Sequence, residues 1–496
     1  MITAAIHHSP DKAFERTLRH FVGEPLVEKV IVVGGGQLPF SSPKCESLRG
    51  ESFLAGKTLN ALLERVRAGY LLLLFTQGGE IRPGPGAIER LLAVAETTGA
   101  GVVYPDYWEE RKAGRLDESL HRSAHPLNDY QEGSIRDDFD FGCLMLFSMR
   151  ACREALKKLG PIPLVKRAGL YDLRLKVSVG HELFHLREPL YTLVAPVTGA
   201  GRETLFDYVD PRNREIQEEM EAAATRHLKN VGAWLRPRFM DVPRCKEDFP
   251  VCASVVIPVR NRVRTVAEAV ESALSQETDF SFNVIVVDNH STDGTTRVLS
   301  GLARRHSILK HLVPGRTDLS IGGCWNQAVY SEHCGRYAVQ LDSDDLYSGP
   351  HTLQKVVGMF QGGDYAMVIG SYTLVDAGLN VMPPGLVDHR EWTERNGRNN
   401  ALRINGLGAP RAFDTALLRR VGGFLNVGYG EDYEMALRLS RRYRIGRIYE
   451  SLYLCRRWEG NTDAAPSIEE RTRNDAFKDQ VRTLEMRARR RMNGSE

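Results

Sequence analysis

Ser254-Val-Val-Ile-Pro-Val-Arg-Asn261 reads as a buried strand that meets a proline and opens into a loop, and the stretch from about Arg264 to Gln276 reads as the helix that follows. Val284-Ile-Val-Val-Asp288 repeats the plan, an apolar run closing on an acid, before Asn-His-Ser-Thr-Asp293-Gly. A third run, Tyr337-Ala-Val-Gln-Leu341, ends on Asp342-Ser343-Asp344-Asp345. Short apolar strands alternating with helical patterns imply an α/β fold with a mixed, mostly parallel sheet flanked by helices. In open α/β sheets ligands bind beyond the carboxyl ends of the strands, where these polar residues gather.

The same pattern runs through the first half, with strands expected at Lys29–Val33, Tyr70–Phe75 and Gly101–Tyr104. The halves read as a diverged repeat. Tyr171-Asp-Leu-Arg-Leu-Lys through Glu188-Pro-Leu-Tyr191 lies over Tyr433-Glu-Met-Ala-Leu-Arg through Glu450-Ser-Leu-Tyr453 without a gap, offset by 262 residues. Tyr70 to Leu74 matches Tyr337 to Leu341, and Gly84-Pro-Gly matches Gly349-Pro-His. The expected organisation is a first copy over 1–204, a connecting helix and linker over 205–250, a second copy over 251–461, and a basic helix over 462–496.

A chain of 496 residues exceeds one core, in keeping with two domains. A formal net charge of +3 gives no basis for a nucleic-acid partner, and none is expected. No apolar run reaches the ~20 residues of a membrane span. The amino-terminal residues read as no secretion signal. The eight cysteines are scattered without zinc spacing, so reduced thiols in a cytoplasmic protein are expected. Arg487-Ala-Arg-Arg-Arg-Met near the end is expected on a solvated helix face, with peripheral contact to anionic lipid as the alternative.

Five segments carry the candidate chemistry. Pro258, Val259, Arg260 and Asn261 form the loop where a nucleotide could sit, and Asp288 closes the neighbouring strand with a carboxylate able to accept a hydrogen bond from a base or ribose. Asp342, Asp344 and Asp345, flanking Ser343, repel one another unless a cation neutralises them, and Mg²⁺ typically takes one or two carboxylates plus phosphate oxygens. An Asp-rich helix cap is the competing reading. Glu431 and Asp432 open a helix, where acids are favoured by the dipole but where one could also act as general base. Arg456, Arg457 and Trp458 suit a diphosphate and a sugar face, or a surface ion-pair cluster.

In this order the segments resemble the family 2 glycosyltransferases with the GT-A fold. The resemblance implies two GT-A-like domains in tandem, with base contact at Asp288, an Asp-x-Asp metal motif at Asp342 to Asp344 and a Glu-Asp pair at Glu431-Asp432 whose second acid is the base. It also implies an inverting transfer, dependent on Mn²⁺ or Mg²⁺, from a UDP-sugar to a hydroxyl of a glycan, glycolipid or protein. Departures are Arg260 in place of an aromatic, Trp325 in place of the arginine before Asn326, Trp458 in place of a metal-binding histidine, and Leu454 in place of the glutamine of polymerising members. The first copy has Gly34 for Asp288, Phe75-Thr76-Gln77-Gly78 for the Asp342–Asp345 run and Gly169-Leu170 for Glu431-Asp432, and is expected to be a pseudo-domain. The alternative for the whole chain is a non-catalytic carbohydrate- or partner-binding scaffold.

Overall fold

The computed structural model describes residues 1–76, 78–112, 120–195, 213–458, 461 and 467–494. Gln77, the first part of the expected linker (205–212) and residues 462–466 of the expected tail lie outside them. The chain divides into two compact units. One comprises Met1–Tyr208, Arg212–Trp234 and Ser467–Glu496, the other Val209–Pro211 and Leu235–Pro466.

The first unit is built on β1 (Ile2–His7), β2 (Val27–Val33), β3 (Cys45–Leu48), β4 (Tyr70–Leu74), β5 (Glu80–Pro83), β6 (Val102–Lys112), β7 (Leu120–His125), β8 (Leu144–Ser148) and β9 (Leu183–Val194). The second is built on β10 (Ala253–Val259), β11 (Phe282–Asp288), β12 (Leu309–Leu312), β13 (Tyr337–Gln340), β14 (Leu346–Tyr347), β15 (Met367–Asp376), β16 (Val381–Val387), β17 (Arg411–Asp414) and β18 (Ile445–Arg457). The sheet orders are β3-β2-β1-β4-β8-β6-β9-β5, with β7 on β6, and β12-β11-β10-β13-β17-β15-β18-β14, with β16 on β15. Each strand of the first sheet thus has its counterpart nine places on. The pairings match in direction too: β1 and β10 lie between parallel neighbours, whereas β4–β8 and β13–β17 are antiparallel. The central strands are buried on both faces, which is why they read as continuous Val, Ile and Leu.

Local packing repeats with the topology. Gly56 and Gly322 begin equivalent regions of helix, and a Cβ at either would come 1.8 Å from a carbonyl oxygen, of Pro163 and Leu425 respectively. Only glycine lets the backbones approach that closely. The helices Gly169–Ser178 and Glu431–Ser440 carry the i,i+4 pairs Asp172–Lys176 (2.7 Å) and Glu434–Arg438 (2.6 Å). Tyr171 and Tyr433 each donate a hydroxyl proton to a backbone oxygen, of Ile135 and Ala401.

The helix Ile468–Gly494 is solvated in part: Arg487 and Arg491 are exposed as expected, whereas Arg482 and Arg489 are fully buried, paired with Asp479 (2.7 Å) and Glu485 (2.7 Å) one turn away. Asp479 also accepts from Ser134 Oγ at 2.9 Å, and Gly133 N–H donates to Thr483 Oγ1 at 2.9 Å, so the helix is stitched into the first unit. Guanidinium groups enter a core when each is paired, an outcome that a count of charges along a helix does not reveal. No helix among the described residues is long and apolar enough to cross a membrane, and all eight cysteines are free.

Candidate functional site

At the carboxyl ends of β10 and β11 the chain turns through two left-handed residues, Asn261 (φ 55°) and His290 (φ 56°), a conformation in which non-glycine residues are uncommon. The turns are tied together: Asn261 N–H donates to Ser291 Oγ at 2.9 Å and Thr292 N–H donates to Asn261 Oδ1 at 2.8 Å. Pro258 and Val259 end β10 beneath this loop, and Arg260 and Asn261 are exposed on it. Asp288 is completely buried. Its oxygens accept from Ser291 N–H (3.1 Å) and Thr296 Oγ1 (2.6 Å), and His311 lies 3.4 Å away. Burial opposes its ionisation, and the bonds from Ser291, Thr296 and His311 overcome that and hold the carboxyl below the usual range. Asp288 thus fixes the loop around it.

The acids after β13 part company in their surroundings. Gln340 Nε2 donates to both oxygens of Asp342 at 3.0 Å, and Asp342 N–H donates to Tyr453 Oη at 3.0 Å. Asp344, half-buried, accepts from Asn461 Nδ2 (3.3 Å) and Trp458 Nε1 (3.4 Å), with Arg262 Nε at 3.6 Å. Asp345 is buried and accepts the Arg456 N–H at 2.7 Å. Burial pushes the Asp342 carboxyl up, with Arg411 pulling the other way, and burial plus the charges of Asp342 and Asp344 push Asp345 well above the ordinary carboxylate range. The Ser343 carbonyl accepts from Thr265 Oγ1 at 3.0 Å, which locks the acid turn to the segment after β10.

Arg411, first residue of β17, joins this edge to the Glu431-Asp432 pair. Its Nε donates to Gln340 Oε1 at 2.8 Å, and its guanidinium is ion-paired with Asp432. Asp432 Oδ1 also accepts Tyr433 N–H at 2.6 Å. Glu431 is buried beside it, and burial, with the Asp432 charge added, raises its carboxyl to about 8. Arg456 is buried, donates from Nη1 to Glu268 at 2.6 Å, and has Nε and Nη2 enclosed with no acceptor among the described residues. Arg457 follows it at the end of β18.

The residues singled out in the sequence therefore fall into three groups. Asp342, Ser343, Asp344, Asp345, Arg456, Trp458, Glu431 and Asp432 share one polar network, and the Pro258–Asn261 loop with Asp288 forms its neighbouring rim. Asn326 instead uses its amide on the backbone of Phe424, donating to the carbonyl and accepting the N–H at 2.8 Å each, so it braces the loop that precedes Gly428. Among the described residues no three His, Cys, Asp or Glu side chains come together as a metal-holding group. Sequence reading missed Arg411, Gln340, Tyr453 and Arg262. Gln340 did leave a signal, as a polar group closing an otherwise apolar strand, and Tyr453 left one as the end of the gapless match with Tyr191.

At the matching places of the first unit the edge is apolar. By register, Leu73 and Met145 face each other across β4 and β8 at the places of Gln340 and Arg411, while Phe75 stands for Asp342 and Gly34 for Asp288. Gly169 opens the helix that Glu431 opens in the second unit. Tyr191, counterpart of Tyr453, is kept and its Oη accepts Cys143 N–H at 2.5 Å. The scaffold has survived, and the acids and the arginine at these matching places have not.

Residues 254–422 match the family model described as Glycosyl transferase family 2. A putative glycosyltransferase, EpsE, of Bacillus subtilis is 34% identical over 122 residues, covering 25% of this chain and 43% of that protein. An uncharacterized glycosyltransferase of Nostoc sp. is 30% identical over 124 residues, 25% of this chain and 37% of that protein. The chain thus spans less than half the length of these relatives. Among solved structures, S. aureus TarS 1-349 in complex with UDP-GlcNAc aligns with 48% of this chain and 72% of its own, at 21% identity and a TM-score of 0.36. The mannosyltransferase PcManGT from Pyrobaculum calidifontis, in complex with GDP-Man and Mn²⁺, aligns with 54% and 82%, at 18% identity and a TM-score of 0.34. Residues 254–422 are thus similar to the glycosyl transferase family 2, and the strand order that carries them recurs in the first unit.

Proposed function

We propose that the second unit transfers a sugar from a nucleotide sugar, with uracil as the base, to a hydroxyl of a glycan, glycolipid or protein acceptor, with inversion at the anomeric carbon. One observation carries the reading: Arg411 and Gln340 join the acid after β13 to the acid that opens the helix Glu431–Ser440, so that a donor-side carboxylate and a candidate base belong to one network. A structural cap at either place would need no such link.

The acids fit a divalent cation. Burial and mutual charge push the carboxyls of Asp342 and Asp345 up, a signature of negative charge in excess of its local partners. Asp342 and Asp344 are the proposed ligands, a set of two carboxylates completed by donor phosphate and water, as Mg²⁺ commonly accepts. Such an ion would neutralise charge developing on the leaving nucleoside diphosphate. Arg456 is the proposed phosphate contact, supported by its enclosed Nε and Nη2, and Arg457, the next residue of β18, is the proposed second one. The Asn261–Asp288 rim receives the nucleoside, with Asp288 acting through the loop it fixes.

Asp432 is the proposed base. It takes the proton of the acceptor hydroxyl while that oxygen bonds to the anomeric carbon and the carbon–phosphate oxygen bond breaks, and the bond pair leaves with the diphosphate. Arg411 holds Asp432 in place, and Glu431 is the reserve candidate. Purified protein supplied with UDP-sugars and acceptor glycans should release UDP. Release of pyrophosphate would point to nucleotidyl transfer, and no release with any donor would favour a binding scaffold. The first unit is proposed as a pseudo-domain that keeps the sheet without the reaction.

A further inference from the structure

At the opposite end of the second unit's sheet lies a cavity of about 170 Å³, walled by Phe239, Tyr365, Trp392, Tyr443 and Tyr449. It opens at the start of β18. From Met367 to Val375, β15 makes eight steps beside β18, so Ile445 and Arg456 are separated by roughly 25 Å at ~3.3 Å per step. The cavity is not part of the donor edge.

Its charge is unbalanced. Arg398, Arg444 and Arg447 line it against a single acid, Glu394. Arg398 is committed to the chain itself: it donates to the carbonyls of Arg441 (3.1 Å) and Arg238 (2.9 Å) and stacks on Phe239 with its guanidinium carbon 4.5 Å from the ring centre. Arg444, half-exposed, is 3.6 Å from Glu394 and also lies over Phe239. Arg447 donates to the carbonyls of Leu407 and Asp388, but its Nε is enclosed with no acceptor among the described residues. Burial lowers the Arg447 guanidinium to about 10, and the nearby Glu391 and Asp388 offset only part of that. A cation so placed is stabilised by an anion that enters the cavity.

Aromatic walls of this extent suit a ring with apolar faces, and the half-exposed Arg444 guanidinium in the lining suits an acid group on it. We propose that this cavity is a second ligand site that takes one acidic sugar unit, a hexuronate or a phosphorylated hexose. The binding stands by itself. Its use, to hold a distant unit of an acceptor glycan, rests on the transferase reading above.

The test is calorimetry on the full chain without donor or divalent metal, with glucuronate, glucose 1-phosphate, glucose and inorganic phosphate as probes. Glucuronate and glucose 1-phosphate should each bind at least about tenfold more tightly than glucose and than phosphate, a factor equal to about 1.4 kcal/mol. The exposed Arg444→Ala variant should weaken both acidic sugars severalfold, and Arg447→Gln should weaken them further. Asp344→Ala and added UDP should change neither affinity, which separates this site from the donor edge whether or not the chain turns over a nucleotide sugar. Several results would overturn the proposal. These are no binding of either acidic sugar, equal binding of glucose or of phosphate, displacement by UDP, or affinities that Arg444→Ala leaves unchanged. Arg444 is on the surface, so that variant stays informative if Arg447→Gln fails to fold.

Discussion

Asp432 carries two jobs, an ion pair with Arg411 and the proposed proton transfer, and one substitution separates them. Asp432→Asn keeps an oxygen for the Arg411 guanidinium and removes the charge. If Asp432 is the base, turnover should fall about 10²–10⁴-fold, the usual worth of general-base assistance, while donor affinity holds. A variant that keeps more than about a tenth of wild-type turnover, outside that range, removes Asp432 from the role. Glu431 offers a different reading. Its folded carboxyl is raised to about 8 from an ordinary 4.5, so the neutral form is favoured in the folded protein. That stabilisation is complete below the unfolded value and is lost as pH climbs through the folded one. Glu431→Gln mimics the neutral acid, so the gap in Tm between variant and wild type, measured without donor or metal, should widen from pH 4.5 to pH 8. A gap that stays flat across the window would show that Glu431 titrates as an ordinary glutamate.

Between elements, close backbone approach decides the outcome at Gly322. Its N–H donates to Val427 O at 3.2 Å, and an added Cβ would meet the Leu425 carbonyl oxygen at 1.8 Å. Gly322→Ala should therefore cost several kcal/mol, above the ~1 kcal/mol of a typical substitution, and should shift the loop that leads to Asp432. Urea denaturation measures the cost, and a loss near that typical value would mean the loop gives way easily. The elements were largely legible in the sequence because strands buried on both faces announce themselves as apolar runs, and because the gapless match ending at Tyr191 and Tyr453 survived divergence. Arg411 was not legible: a lone arginine after Pro410 carries no periodic signal, and its partners come from β13 and from the helix at Glu431. The terminal helix was read in part for a related reason. Arg487 and Arg491 are exposed as the run suggested, but Arg482 and Arg489 look solvent-bound along the chain, and their pairing with Asp479 and Glu485 one turn away takes them inside. The aromatic cavity was invisible, since its walls come from four separated segments.

Taken as a whole, the molecule carries one sheet plan twice and the acids once. Leu73, Met145 and Phe75 fill with carbon the places where Gln340, Arg411 and Asp342 build a charged edge, so a ligand that needs that edge has one unit to bind. The central claim is that Asp342 and Asp344 hold a nucleotide sugar through a divalent ion. It is tested most directly by thermal unfolding of the full chain with UDP-, GDP- and dTDP-sugars, with and without Mn²⁺, because this needs no knowledge of the acceptor. A ligand bound only by the folded state stabilises by about 2.7 kcal/mol at a hundred times its Kd, enough to raise Tm by a few degrees. The account predicts such a rise with a uridine donor and Mn²⁺ together, its loss in EDTA, and its absence in Asp344→Ala protein of normal basal Tm. No rise with any of the three donors, or a rise that Asp344→Ala retains in full, would contradict it.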